Sequence, residues 1–365
     1  MASPGTEYQV NAMSLEWNLN HTTTTVKIYN QTIILPTHVY VKTFLFIVRV
    51  VLTQVVCVLG VITNLLSIVT FVTQGLRDTV NISLLGLAVS DLFSLLTLLW
   101  LNTCYAPSFL SMQLPFLPLD VAYLTGGWPH VFFTRTTTWI TVYITIERCV
   151  CIAAPMKVKD IFTPKRTQVY ILLVYLVMLG SVAPIYYTAR FSENFNPARN
   201  ITLLGITFIQ DRNNIETVSF HINNILPLTA FILILTGTAI LVTELKRVSK
   251  WRLRTSANLK ANDLVARDTK VMKMIVFIST IFIFCYLPGT VVFIWMMIDS
   301  GLRLDGNNSS SFEMAFATLF FLEALNSSVN ICVYLSMSTK FRETFLRIFR
   351  CTRKSSSTKP KPNNT

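Results

Sequence analysis

Seven apolar stretches, each long enough to cross the hydrocarbon core of a bilayer as a helix, constrain this 365-residue chain more than any other feature. They run Phe44–Val72, Ile82–Leu101, Val121–Ala154, Val169–Tyr187, Phe220–Val242, Val271–Ile298 and Phe312–Leu335. Crossing takes about 20 helical residues, because lipid offers no partner for an unpaired backbone N–H or C=O. Composition agrees. Only 13% of the residues are charged, against about 25% in soluble domains. The expected fold class is all-α integral membrane, a seven-transmembrane helix bundle followed by a short amphipathic helix.

The net charge of +13 raises the question of a nucleic-acid partner. Its placement answers that. With the N-terminus outside, the inner connections and the C-terminal tail hold 23 of the 31 Lys and Arg residues. They cluster over Arg148–Arg166, Lys246–Lys273 and Lys340–Lys361, with Arg77 between spans 1 and 2. The bias of basic residues toward the cytoplasmic side sets this topology and accounts for the charge with no nucleic acid. A multi-pass plasma-membrane protein is expected, with the N-terminus extracellular and the C-terminus cytoplasmic.

Residues 1–41 lack the basic start and apolar core of a leader peptide and read as a polar extracellular tail. Residues 42–337 form the bundle, 338–351 the amphipathic helix and 352–365 a disordered cytoplasmic tail. Glycosylation sequons at Asn20, Asn30, Asn200, Asn307 and Asn308 all fall in outer segments, as this topology requires. Two further matches, at Asn81 and Asn326, fall where no glycosylation is expected.

In the stretch TVYITIERCVCIAAP, residues 141–155, adjacent opposite charges follow a long apolar run. Glu147 and Arg148 land at the cytoplasmic end of span 3, where a plain membrane-stop role competes with a functional one. The other spans carry one polar landmark each. GVITN holds Asn64, LAVSDL holds Asp91, span 5 holds Pro227, span 6 reads FCYLP and span 7 reads NSSVNICVY. Between about Val41 and Arg350 this order resembles the rhodopsin-like family of G-protein-coupled receptors. There ERC stands where Asp-Arg-Tyr is usual, FCYLP where Cys-Trp-x-Pro is, and NSSVNICVY where Asn-Pro-x-x-Tyr is. The wording LTGGWPH, INNILPL and LEALNSSVNI also resembles gastropod chemosensory-type receptors of that family.

Asp91 is a lone carboxylate within an apolar helix, a placement that implies a partner or a function. Glu323, Asn326, Ser327, Asn330 and Tyr334 recur at one helical face of span 7 and must point into the bundle. The resemblance implies a sodium pocket of Asp91, Thr137, Asn326, Ser327 and Asn330. A hydrogen-bonded network with water and no ion is the alternative. Span 3 carries a stripe of Thr134, Thr138, Thr141, Thr145 and Arg148, which marks it as the central, least oily helix, its threonines suited to close packing.

Arg148 has two candidate partners, Glu147 beside it and Asp268 at the inner end of span 6. The resemblance implies that an acid at the latter position clamps the receptor closed, and that release lets span 6 swing outward to admit the G protein. Tyr334 belongs to the same switch. After span 7, TKFRETFLRIFRC sets Phe341, Phe345, Ile348 and Phe349 on one face with Lys340, Arg342, Arg347 and Arg350 around it. That is the pattern of a helix lying on the lipid surface. Cys351 is a palmitoylation candidate, and the tail offers hydroxyls to kinases and, through them, to arrestin.

Some features depart from the family. Its usual outer disulfide has neither partner: Tyr123 holds one position, and the loop Thr188–Phe220 contains no cysteine. That loop must be held by its own packing and hydrogen bonds. Ile331 replaces the span 7 proline, Tyr286 replaces the span 6 tryptophan, and span 4 lacks its tryptophan.

For the ligand, span 7 has no lysine for retinal, and His130 stands where amine receptors carry an aspartate. Candidate ligand contacts are His130, Arg135, Tyr286, Glu323, Tyr123 and Trp128. Arg135 in mid-span either catches an anionic group such as a carboxylate or pairs inside the bundle with Glu323. A small chemosensory molecule is the first expectation and a neuropeptide the second. A transporter would show internal repeats and interrupted helices, and the chain shows no repeat. No hydrolase or metalloprotease motif appears.

Overall fold

A computed structural model describes residues 37–154, 156–196, 200–254, 259–298 and 309–355. Eight long helices carry the fold. Helix α1 is assembled from Thr37–Leu45, a wider π-type stretch over Phe46–Leu52, and Thr53–Gln74. Then come α2 (Thr79–Cys104), α3 (Trp128–Ala153), α4 (Pro164–Thr188), α5 (Arg212–Arg254), α6 (Leu259–Ile298), α7 (Ser309–Met337) and α8 (Thr339–Ser355). A second π stretch, Tyr123–Gly127, leads into α3.

Six of the described helices are long and apolar enough to cross a membrane, and α3 is not among them. The reason is local. Its 26 residues include six threonines with His130, Arg135, Glu147 and Arg148, and its middle is buried by neighbours on most sides. Thr136, Thr138, Thr141 and Thr145 each donate to the carbonyl four residues earlier, at 2.8–2.9 Å. Each hydroxyl is thus satisfied inside an apolar setting without needing water.

Small residues and amides seam the helices together. A Cβ on Gly60 of α1 would collide with Ser328 on α7 and Leu95 on α2, so these helices cross at a distance only glycine permits. Beside it, Asn64 donates to the carbonyls of Gly60 at 2.9 Å and Ser327 at 2.8 Å. Asn81 gives its amide nitrogen, the atom a glycan would occupy, to the carbonyls of Phe71 and Gly75.

The all-α expectation needs one correction. The segment after α4 is a two-stranded antiparallel hairpin, β1 (Ala189–Asn196) with β2 (Ile201–Phe208), in register from Ala189 opposite Phe208 to Asn196 opposite Ile201. Asn200 precedes β2 with φ 52°, a left-handed conformation that asparagine tolerates better than most residues. The hairpin is tied to the segment before α3. Leu117 N–H donates to Leu204 O at 2.8 Å and Leu204 N–H to Pro115 O at 3.0 Å. Ile206 N–H donates to the Asp120 carboxylate at 3.1 Å. Burial holds the Asp120 carboxyl above the usual carboxylate range, partly offset by that N–H. Tyr123 stands edge-on to Phe208, centroids 6.2 Å apart, so an aromatic contact joins the segments that the family bridges with sulfur. The six cysteines whose side chains are described are all free.

At the opposite end of the bundle, the core is continuous across seven helices. Phe71, Leu84, Leu87, Ile140, Ile144, Leu241, Met274, Ile275, Ile278, Tyr334 and Phe341 pack in one cluster. Met274, Ile275 and Ile278 of α6 are inside it, so α6 packs against its neighbours at the α8 end.

Candidate functional site

Three polar layers lie along α3. Nearest the hairpin, His130 is buried and held from both sides. Its Nε2 lies 3.0 Å from Glu323 Oε2 on α7, and its Nδ1 3.0 Å from Ser94 O on α2. Arg135 lies one turn and a half further along. It is 6% exposed, its Nε has no hydrogen-bond partner, and it forms no ion pair among the described residues. Its guanidinium sits 5.6 Å from the centre of the Phe293 ring. The Glu323 carboxylate acts on the guanidinium electrostatically but makes no close ion pair with it, and contacts His130 instead.

Arg135 lines a narrow, partly open cleft between α3, α5, α6 and α7. Asn224, Pro227, Leu228 and Phe231 of α5 form one wall, and Phe282 to Ile294 of α6 another. Leu319 and Glu323 of α7 close the remainder. Of the expected ligand contacts, Arg135, Tyr286 and Glu323 line this cleft, and His130 touches it only through Glu323. Tyr123 and Trp128 do not line it; they meet each other edge-on, centroids 6.2 Å apart, under the hairpin. Sequence reading missed Asn224, Cys285, Thr290 and Phe293. Nothing in an apolar run marks which side chains border a gap.

The middle layer centres on Asp91. Thr137 Oγ1 and Ser327 Oγ each donate to its Oδ1 at 3.0 Å, and Asn330 Nδ2 donates to Oδ2 at 2.8 Å. Asn326 is buried on the same face of α7 and makes no described hydrogen bond to Asp91. A carboxylate with hydroxyl and amide oxygens nearby is the donor set a hard cation uses. The same three donors also satisfy the carboxylate as it stands, so the residues fit an ion and a water network alike.

The third layer is at the α8 end. Arg148 Nη2 pairs with Glu147 Oε1 at 2.8 Å, and the Thr79 hydroxyl of α2 donates to that same oxygen. Glu147 is 1% exposed, so a bare membrane-stop charge does not describe it. Glu147 Oε2 and Arg148 Nε have no partner among the described residues. The Asp268 side chain lies outside the described residues, as do those of Asn307, Asn308 and Cys351 and the tail positions Asn20 and Asn30. Above the pair, Thr145 meets Ser279 of α6 at 3.3 Å. Tyr334 packs edge-on to Phe71 at 5.2 Å, and its ring lies 5.3 Å from that of Phe341 on α8.

Six helices long and apolar enough to cross a membrane, packed around the polar α3, make this a multi-span membrane protein. The comparisons agree. The family described as Serpentine type 7TM GPCR chemoreceptor Srw matches residues 51–352, and the chain belongs to that family. It is a G-protein-coupled receptor and not an enzyme. It is similar to the QRFP-like peptide receptor of Branchiostoma floridae, 24% identical over 79% of this chain and 73% of the relative. It is also similar to the growth hormone secretagogue receptor type 1 of Rattus norvegicus, 25% identical over 80% of this chain and 78% of the relative. The type-1 angiotensin II receptor B of Rattus norvegicus is 23% identical over 84% of this chain and 82% of the relative.

Proposed function

We propose that this receptor sits in the plasma membrane with the hairpin end outside, and that it responds to a small chemosensory ligand bearing an anionic group. In this reading α3 is the third of seven spans, sheltered from lipid by its neighbours, and α8 lies on the inner leaflet with Cys351 available for acylation. The observation that carries the ligand reading is Arg135: a buried cation with no ion pair among the described residues, facing a cleft whose longest wall is α6. A buried charge in a membrane is costly, and with only the Phe293 ring and a more distant Glu323 to offset it, an incoming anion gains a close pairing at Arg135. Because the anion bridges α3 to α6, its binding energy biases the element that must move to admit a G protein.

Asn20, Asn30, Asn200, Asn307 and Asn308 carry glycans in this topology. Asp91, Thr137, Asn326, Ser327 and Asn330 hold a sodium ion in the resting state. The tail beyond α8 is the target of kinases and arrestin.

A peptide ligand is the second reading, favoured by the similarity to the QRFP-like peptide receptor. A free C-terminal carboxylate would meet Arg135 by the same chemistry. The test is a G-protein readout in cells expressing the full chain, with each ligand presented as a free acid and as its neutral amide. Responses to acids alone, lost in Arg135→Gln at equal surface expression, support the reading. Equal responses to amides contradict it.

A further inference from the structure

We infer that the ligand is an amphipathic acid, one anionic group on an apolar body, and that it enters the cleft from the bilayer between α5 and α6. This rests on the cleft being the ligand site and adds the class of ligand and its route.

The shape of the cleft sets the body. Its α6 wall runs from Phe282 to Ile294, about 18 Å of helix at about 1.5 Å per residue. Most of the lining is hydrocarbon, and Arg135 is its sole cation among the described residues. A wholly polar ligand would leave its own groups unpaired against Leu228, Phe231, Phe282 and Leu319. An acid with an aliphatic or aromatic body would not.

The mouth sets the route. Ile294 lines the cleft and is also 42% exposed, on an α6 stretch where Val291 is exposed too; Ile225 on α5 is likewise exposed. Pro227, Leu228, Thr290 and Phe293 grade inward from them, each half-buried. An exposed apolar residue within a membrane-spanning stretch faces lipid, and Ile294 lies inside the span Thr269–Met296. No described residue of the hairpin lines the cleft. Pro227, at the mouth, lacks the N–H that would bond the carbonyl of Asn223, so α5 is weakened where the gap must widen.

Cys285 lines the cleft and reports on both points. The full-length receptor in lipid nanodiscs would be treated with dodecyl methanethiosulfonate, which partitions into bilayers, or with the water-confined 2-sulfonatoethyl analogue. Modification is followed by mass spectrometry, with Cys285→Ala to assign the site and each reagent's rate on free cysteine as its reference. The alkyl reagent should modify Cys285 at least tenfold faster than the sulfonate, although the sulfonate's charge suits Arg135. Ile294→Trp should slow the alkyl reagent severalfold. Decanoic acid should protect Cys285 in the wild type and not in Arg135→Gln, while methyl decanoate should protect neither. Equal rates for the two reagents, or no modification by either, overturn the bilayer route. If decanoic acid still protects through Arg135 in that case, the anion site stands and only the route falls. Protection that ignores Arg135 overturns the anion site itself.

Discussion

His130 on α3 and Glu323 on α7 meet at 3.0 Å, while Arg135, five residues along the same helix, makes no ion pair with that carboxylate. One acid thus serves the histidine and makes no close ion pair with the arginine. Glu323→Ala should leave a buried His130 nitrogen unpaired, a loss of about 1–3 kcal/mol, read as lower thermal stability of the purified receptor. Glu323→Gln keeps an acceptor for His130 and should recover most of it. An Ala variant as stable as the wild type would show that the contact contributes nothing.

Reductant should not change thermal stability or surface folding, since Tyr123 and a cysteine-free hairpin leave no outer bridge to break. A reductant-induced loss in monomeric receptor contradicts this. The clasp that replaces the bridge carries a pH signature. Asp120 has a raised pKa in the folded state, so the folded protein binds more protons than the unfolded one between the ordinary carboxylate value, about 4, and the raised value. Stability from this group therefore falls as pH rises through that window and is regained on acidification. The melting difference between wild type and Asp120→Asn should shift in favour of wild type as pH falls from about 7 toward about 4. A difference flat across that range would contradict the assignment.

Sodium is tested at Asp91. Millimolar sodium should raise the melting temperature of the unliganded receptor above that in choline, and Asp91→Asn should abolish the difference. Equal melting in the two salts leaves the layer as the hydrogen-bonded network already visible around Thr137, Ser327 and Asn330.

The inner switch is tested at Asp268 and Arg148. An exposed ion pair is worth about 0–1 kcal/mol and a buried one that loses a member about 3–5 kcal/mol. Even about 1.4 kcal/mol shifts a resting-to-active ratio roughly tenfold. Asp268→Ala should raise ligand-free signalling at equal surface expression. Arg148→Ala should signal weakly, losing clamp and G-protein contact together. Unchanged basal signalling in Asp268→Ala would leave Arg148 held by Glu147 alone, the partner seen at 2.8 Å.

Six spans were legible because oil in runs of about twenty residues has few other uses, while α3, the least oily as expected, falls short of that hydropathy because of its polar stripe. The face of α7 from Glu323 to Tyr334 was legible for the same reason of period, and Asp91 does meet Ser327 and Asn330. What escaped depends on helix rotation or on distant partners. Which of His130 and Arg135 takes Glu323 is decided by a fraction of a turn. Thr79 as a partner of Glu147 comes from another helix. The hairpin needed the register between ARFSENFN and ITLLGITF together with Asp120, far away in sequence. Arg49 looks like a stray charge in an apolar run, yet the π stretch of α1 turns it under the ring of Tyr105, 4.1 Å from its centre.

The most direct test of the account follows α6 itself. Spin labels at Thr73 on α1 and Lys273 on α6, both exposed near the α8 end, would report the distance between the helices by pulsed electron resonance. With the most active acid from the G-protein screen, the wild type should gain a longer-distance population. Arg135→Gln should need at least about thirtyfold more acid, since truncating one member of a buried charge pair costs about 2 kcal/mol or more. The same lengthening at the same acid concentration in both proteins would contradict the claim that an anion at Arg135 drives helix α6.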